Sequence, residues 1–358
     1  MLFAKVKKEN AEESRQMLIK SEALSKDYKI KRDENFIYFP LVKEVYDLEI
    51  VEMEAEPVPF KYQNLQEQLC EFLTKEEMEQ VVTSFDVIGD LVIAEIPHEL
   101  DSKEKQIAHA ILKVHRNCKV VAKKIGAMSG EFRTRPLKVI AGEARTETMY
   151  KEHGAKMLID PSKAYFSVRL ATERKRIADL VKPREHVLAL FAGVGPFPLV
   201  ISKTQPECEI VAIELNPEAV NYMEKNIALN KSKNIKPILG DAREIVLKHY
   251  QNWADRVIMP LPHTAQDFLD VAFAGARNNC IVHFYGFSSE KDVEHAFEDK
   301  IQEAATRTGN PTNLSESLNG PLKQSFNWKP ETVNRRIVRP YAPGIVQVVV
   351  DFRVKKQN

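Results

Sequence analysis

Val187-Leu188-Ala189-Leu190-Phe191-Ala192-Gly193-Val194-Gly195-Pro196-Phe197 is an apolar run that stops at two glycines spaced Gly-x-Gly and restarts behind a proline. Such a run reads as a buried strand, a tight turn and a helix start. Gly193 and Gly195 let the backbone take positive φ and approach a ligand closely. Pro196 suits a first helical turn, whose free N–H groups point back at the loop. The dinucleotide fingerprint asks for a third glycine where this chain has Pro198, which disfavours a nicotinamide or flavin ligand.

The residues that follow supply the rest of a nucleoside pocket. The stretch 209–215 is a second strand carrying Glu214 at its end, nineteen residues after Gly195. A doubly wound sheet places there the acid that hydrogen-bonds ribose hydroxyls. Asn216-Pro217 caps a helix over 218–230, and a third strand over 237–240 ends in Asp241, placed to accept from an adenine amino group. Either acid alone is an ordinary strand-end residue. Both behind Gly-x-Gly favour an adenosine ligand without a pyrophosphate, which is S-adenosylmethionine.

At 358 residues the chain is long enough for two or three domains. Its 44% hydrophobic and 29% charged residues are those of a globular protein, and its net charge of +1 identifies no partner by itself. Cys70, Cys118, Cys208 and Cys280 form no Cys-x-x-Cys pair, so neither a disulfide framework nor a metal site is expected. No apolar run reaches the roughly 18 residues of a membrane span. The cytoplasm is therefore the expected location, and a monomer is the expected state.

Residues 1–32 hold nine Lys/Arg against five acids, with an amphipathic helix pattern over 11–25 and a strand-like stretch at 36–40. The segment 44–56 reverses sign, with six acids and no Lys or Arg, and Pro57-Val58-Pro59 reads as a linker. Residues 1–56 are thus a separate small module, 57–78 a linker, 79–160 an α+β domain and 161–358 the catalytic domain. Between Lys113 and Lys138 there are eight Lys/Arg and one acid. Phosphate backbones are the commonest large anion for such a patch, and Lys123, Lys124, Arg133 and Arg135 are its candidate RNA-binding residues. A solvated face answering the acidic linker is the plainer alternative.

Period-2 alternation over 142–154 ends in a hairpin-like His153-Gly154, with 155–160 as the partner strand. The stretch 164–174 leads into a helix with Thr172 as candidate N-cap, which brings Glu173 and Arg174 to the ligand edge of the sheet. Beyond Asp241, strand and helix alternate to residue 306, which means a mostly parallel sheet covered on both faces. Residues 308–332 read as a loop rich in Asn, Ser, Pro and Gly, followed by two closing antiparallel strands.

Asp160-Pro161, Tyr165-Phe166-Ser167, Glu173-Arg174, the Phe191–Phe197 block, Glu214-Leu215-Asn216-Pro217 and Asp255-Arg256-Val257-Ile258-Met259 with Leu261-Pro262 resemble the archaeal and eukaryotic tRNA (guanine-N1)-methyltransferase family. That family methylates the guanosine at tRNA position 37. The resemblance implies an α/β fold with a class I, Rossmann-like methyltransferase sheet and smaller N-terminal RNA-binding domains, with tRNA as partner and S-adenosylmethionine as methyl donor. Carried over by motif, Glu173 is the general base and Arg145 helps hold the guanine. Tyr165, Phe166 and Arg174 flank the donor, and Phe191, Ala192, Gly193, Gly195 and Pro196 form the loop around it. Glu214, Leu215, Asp241 and Ala242 hold its adenosine, and Pro260, Leu261 and Pro262 occupy the Asn-Leu-Pro position that meets donor and base.

The chemistry is consistent with these roles. Guanine N1 carries a proton at neutral pH and must lose it as the methyl arrives, which suits a carboxylate. A cation would offset the charge developing on the guanine carbonyl oxygen. Without the resemblance, Glu173 reads as a helix-start acid favoured by the macrodipole, and Arg145 as a solvated strand residue. Pro260 stands where the family has asparagine, and Ala189 where many members have a strand-end aspartate. The alternatives left open are an aminocarboxypropyl transferase of wyosine biosynthesis, a ribosomal RNA methyltransferase and a catalytically silent tRNA-binding homologue.

Overall fold

A computed structural model describes residues 1–25, 27–57, 64–126, 130, 132, 134–260, 264–309 and 327–357. The chain separates into two compact units, residues 1–79 and 80–358.

In the first unit, β1 (Leu2–Lys7) is followed by α1 (Ala11–Lys20), β2 (Lys31–Arg32), β3 (Phe36–Pro40) and β4 (Glu49–Glu52). The strands form an antiparallel sheet in the order β2-β3-β1-β4. Ala4 and Val6 alternate onto the face covered by Leu18 of α1, with Phe39 and Leu41 completing that core. Glu12 and Glu13 in the first turn of α1 and Lys20 in its last match the helix dipole. The acidic segment is not a bare solvated tail. Part of it is β4, where Glu49 pairs with its cross-strand neighbour Lys5 at 2.8 Å, and Glu56 meets Lys29 at 3.0 Å. Val58 and Pro59 of the expected linker lie outside the described residues. Two short helices follow, α2 (Leu65–Leu69) and α3 (Lys75–Gln80).

The second unit opens with β5 (Asp86–Ile88), β6 (Leu91–Ala94), α4 (Glu104–Val114), β7 (Val120–Lys124) and β8 (Leu137–Gly142), whose strands form a sheet in chain order. A hairpin of β9 (Thr148–Glu152) and β10 (Ala155–Ile159) follows, turning at His153 and Gly154 with φ of 44° and 80°. Positive φ at both central residues is the tight-hairpin geometry that matches strand twist.

Then come α5 (Ala171–Leu180), β11 (His186–Leu190), α6 (Pro196–Thr204), β12 (Glu209–Glu214), α7 (Pro217–Asn230), β13 (Ile235–Leu239), α8 (Ala242–His249), β14 (Ala254–Met259), α9 (Leu269–Gly275), β15 (Ala276–Ser289), α10 (Glu298–Gly309), β16 (Trp328–Ala342) and β17 (Ile345–Lys356). The seven strands lie in the order β13-β12-β11-β14-β15-β17-β16, with β11 to β15 parallel and β17 antiparallel to both neighbours. Val187, Ile210 and Ala212 face one core, and Leu188, Leu190, Val211 and Ile213 face the other. Strands buried on both faces need continuous apolar runs, which explains the sequence of β11. The order reverses at β11, between β12 and β14, and such a switch point opens a crevice beyond the strand C-termini.

Local differences from the sequence reading have simple causes. A 3-10 turn over Val168–Leu170 runs into α5, so Thr172 lies inside the first helical turn and caps nothing. The helix expected over 290–306 breaks at Phe297, which takes φ of 67° so that its ring can pack edge-on against Phe284 at 5.0 Å. Of the expected 308–332 loop, residues 310–326 lie outside the described residues, and Trp328 onward is β16.

Candidate active site

The crevice at the C-terminal ends of β11, β12 and β13 holds a cavity of about 560 Å³. Its floor is the turn foreseen from Gly-x-Gly. Phe191 leaves β11 with φ of 55°, and Gly195, with φ of 88°, is the N-cap of α6. A side chain at 195 would place its Cβ 3.0 Å from Cγ of Met223 and would strain a backbone at positive φ, so glycine suits both the turn and its packing. Glu214 braces the loop, because Oε2 accepts from the Gly193 N–H at 2.8 Å and Oε1 from the Asn216 N–H at 2.9 Å. Each oxygen keeps a further lone pair. Asp241 caps α8 through Oδ1, which accepts from the N–H groups of Arg243 and Glu244.

Glu214, Leu215, Asp241 and Ala242 all line the cavity, together with Phe191, Ala192, Gly193 and Pro196. Tyr165 and Phe166 form another wall, held by Arg174. The Arg174 guanidinium is buried in a bidentate pair with Glu152, donates to the Ser167 carbonyl at 3.1 Å and lies 5.2 Å from the Phe166 ring centroid. Arg174 thereby ties the β9–β10 hairpin to the cavity wall. Pro260 lines the cavity as well, whereas Leu261 and Pro262 lie outside the described residues. Sequence reasoning missed Phe268, Phe287 and Tyr341, which also line it. Phe268 meets Phe191 edge-on at 4.9 Å, and Phe287 lies against Tyr341 with ring centroids 4.0 Å apart. Nothing in the local sequence marks these rings as neighbours. Ala189 sits within β11, paired with Ala212 and Ile258 and 2% exposed, so its lack of a carboxylate leaves the cavity wall unchanged.

Glu173 is buried on α5 between cavity-lining Leu170 and Arg174 in the sequence, and is not itself among the cavity-lining residues. Its Oε1 accepts from the Tyr285 hydroxyl at 2.8 Å and from Nε and Nη2 of Arg176 at 3.0 and 2.6 Å. Its Oε2 is buried without a hydrogen-bond partner among the described residues, and Nη1 of Arg336 stands 3.6 Å away. Tyr285 packs on cavity-lining Phe197 at 6.1 Å. Behind Glu173 the charges continue inward. Arg176 forms two hydrogen bonds to Asp351, and Asp351 meets Nδ1 of His283 at 2.6 Å. Arg256 donates to Nε2 of the same ring at 2.7 Å, so the ring proton sits on Nδ1 and is given to Asp351. Burial alone would raise the Asp351 carboxyl, but its bonds to His283 and Arg176 outweigh that and hold it well below the usual carboxylate range. Burial lowers His283 and keeps it neutral despite Asp351.

Arg145 lies elsewhere. Its guanidinium forks onto Asp90 at 2.9 and 2.6 Å, and it also meets Glu143 at 2.7 Å and the Glu147 carbonyl at 2.6 Å. It is not among the cavity-lining residues, and the hydrogen bonds to Asp90 and Glu143 push its pKa up. Its bonds join the β8–β9 connection to the β5–β6 turn. The basic segment is likewise partly answered from within. Lys123, with a side chain 7% exposed, pairs with Asp101 and Glu104. Lys124 is 3.4 Å from Glu95, and Lys138 donates to Glu104 at 2.7 Å. Arg135 is half-buried, and Arg133 lies outside the described residues. Among the described residues no cluster of His, Cys, Asp and Glu could hold a metal, and no helix is long and apolar enough to cross a membrane.

Residues 148–311 match the family model described as the TRM5/TYW2 methyltransferase domain, 65–146 the TYW2 N-terminal domain and 5–49 the tRNA methyltransferase 5 N-terminal domain. The tRNA (guanine(37)-N(1))-methyltransferase Trm5b of Pyrococcus abyssi is 40% identical over 360 residues, covering 99% of both chains. The chain belongs to the tRNA (guanine(37)-N1)-methyltransferase family. Its fold is that of the family: the crystal structure of Pyrococcus abyssi Trm5b aligns with a TM-score of 0.75 and 38% identity over 99% of each chain. The complex structure of aTrm5 and tRNALeu aligns with a TM-score of 0.69 and 33% identity, also over 99% of each. The methyl donor of this methyltransferase family is S-adenosylmethionine. The cavity fits that molecule, having carboxylates at two strand ends, a braced glycine turn and aromatic walls.

Proposed function

We propose that this protein transfers a methyl group from S-adenosylmethionine to N1 of the guanosine at position 37 of tRNA, with Glu173 as proton acceptor. The observation that carries the reading is a cavity walled by Glu214 and Asp241, with a buried carboxylate, Glu173, held by three donors on one oxygen next in sequence to cavity-lining Arg174. The donor supplies an electrophilic methyl on a sulfonium: the N1–C bond forms as the S–C bond breaks and leaves its electron pair on sulfur. Glu214 holds the ribose through its free lone pairs, and Asp241 receives the adenine amino group. Glu173 takes the N1 proton, a step for which general-base catalysis contributes roughly 10²–10⁴-fold.

Arg145 serves this reaction as a brace of the β8–β9 connection, since its charge is already matched by Asp90 and Glu143. Leu261 and Pro262 join Pro260 at the donor wall on the strength of their motif. The N-terminal module and the following α+β domain recognise tRNA, supported by the family models they match. In this reading the protein works as a cytoplasmic monomer. Nucleoside mass analysis of tRNA incubated with the protein and methyl-labelled donor tests it. The expected product is 1-methylguanosine at position 37, and an aminocarboxypropyl adduct or unmodified tRNA would overturn the reading.

A further inference from the structure

The hairpin of β9 and β10 is a sheet of two strands, so among the described residues no third strand pairs with the outer edge of β10. Two asparagines of α7 take that place. Asn226 Oδ1 accepts from the Leu158 N–H at 2.7 Å, and its amide donates back to the Leu158 carbonyl at 3.1 Å. Asn230 does the same to Lys156, accepting from its N–H at 2.9 Å and donating to its carbonyl. The spacings match, because four residues of helix rise about 6 Å and two of strand about 6.7 Å. Side chains at i and i+4 thus meet the outward peptide groups of alternate strand residues and close an open edge.

The two amides differ in where their other N–H goes. Asn230 gives it to the Asn226 carbonyl at 2.8 Å, within the helix. Asn226 gives it to the Val194 carbonyl at 3.1 Å, in the turn between Gly193 and Gly195. The N–H of that same peptide unit, on Gly195, donates to the Ala192 carbonyl at 3.0 Å. A planar peptide held at both its C=O and its N–H cannot rotate, which fixes the turn at the positive φ of Gly195 and sets the start of α6. The bond to Val194 is buried, where a polar group left without a partner costs most.

The hairpin on the other side of Asn226 also reaches the cavity. Glu152 of β9 holds Arg174, and Tyr150 of β9 meets cavity-lining Phe166 edge-on at 5.2 Å. One buried side chain is therefore bonded both to the glycine turn and to the strand pair that supports the Phe166 wall. We propose that Asn226 is a positioning residue for the methyl donor, holding the floor and the Phe166 wall of the cavity in the relative position that the donor requires. It acts through the Val194 peptide rather than by touching the donor. The inference rests on the cavity being the donor site and is independent of which group takes the N1 proton.

Asn230→Ala is the control, since it removes the same kind of strand contact and leaves Val194 bonded. Denaturant titration and calorimetry with S-adenosylmethionine, both on the full chain, separate the two residues. Asn226→Ala and Asn230→Ala should both be less stable than wild type. Only Asn226→Ala should bind the donor more weakly, by about tenfold, the worth of one hydrogen bond. In methylation of tRNA its KM for donor should rise to match, while kcat and the KM for tRNA change little, the pattern of lost uniform binding. Should Asn226→Ala not fold, amide exchange of the wild-type protein carries the test: S-adenosylmethionine should slow exchange of the Leu158 amide more than that of the Lys156 amide. Equal donor affinities in the two variants, or equal slowing at the two amides, would overturn the role of Asn226. If Glu214→Ala also binds the donor normally, the placement of the donor in this cavity fails instead.

Discussion

The phenol of Tyr285 donates a 2.8 Å hydrogen bond to Oε1 of Glu173, from β15 of the central sheet to helix α5 packed on it. Burial and the neighbouring Glu173 charge push the Tyr285 pKa far up, so the phenol remains a donor across the working pH range. Tyr285→Phe should cost roughly 1.5–3 kcal/mol of stability, the usual net worth of a hydrogen bond to a charged group. Methyl transfer should slow several-fold because the carboxylate loses one of its three anchors. Denaturant titration and single-turnover rates check the two effects separately, and an unchanged rate would show that Arg176 alone holds the base.

The network behind Glu173 makes stability depend on acid. His283 is neutral because burial lowers its pKa, so the unfolded chain binds a proton there more readily than the native one. Its contribution is complete above about pH 6.5, the ordinary histidine value, and is lost as the pH falls below that. Asp351, held down by His283 and Arg176 against the effect of burial, acts in the same direction below about pH 4. Stability should therefore decline from pH 7 to pH 5, and the His283 ring should titrate by NMR below 6.5. A ring midpoint above 6.5 would contradict the buried tautomer.

Gly195→Ala should damage the donor site and the fold together. Left-handed backbone costs a non-glycine residue roughly 1–2 kcal/mol, and the new methyl would press on Met223. Calorimetry should show weaker donor binding. Full retention of affinity and stability would mean the turn relaxes freely.

Lys123→Ala separates a structural lysine from a phosphate contact. With its amine paired to Asp101 and Glu104, removal should lower stability while leaving the salt dependence of tRNA binding nearly unchanged. A phosphate contact would instead reduce the log–log slope by close to one unit.

The parts of this protein legible in the sequence are those whose cause is local. β11 shows in its doubly buried apolar run, the cavity floor in Gly193 and Gly195, and the β9–β10 hairpin in His153-Gly154. Glu214 and Asp241 were placed because strand ends fix them relative to the turn. The charged residues misled wherever their partners are distant. Lys123 counted as part of a free basic patch because Asp101 and Glu104 lie outside the window, and Arg145 finds Asp90 across 55 residues of sequence. The support of Glu173 was invisible for the same reason: Arg176 meets Asp351 175 residues away, and Tyr285 arrives on a strand four positions along the sheet from β13. β4 was hidden by its own acids, since a short edge strand rich in glutamate carries the same composition as a linker.

Glu173→Gln tests the central claim most directly. The amide keeps the size and much of the hydrogen bonding of the carboxylate but has no useful basicity, so proton transfer is isolated from binding. Single-turnover methylation of G37 tRNA at neutral pH should fall by roughly 10²–10⁴-fold with donor and tRNA affinities little changed, and activity should return only as guanine N1 itself begins to ionise at high pH. A Gln variant that methylates at a near-normal rate at neutral pH would contradict the account.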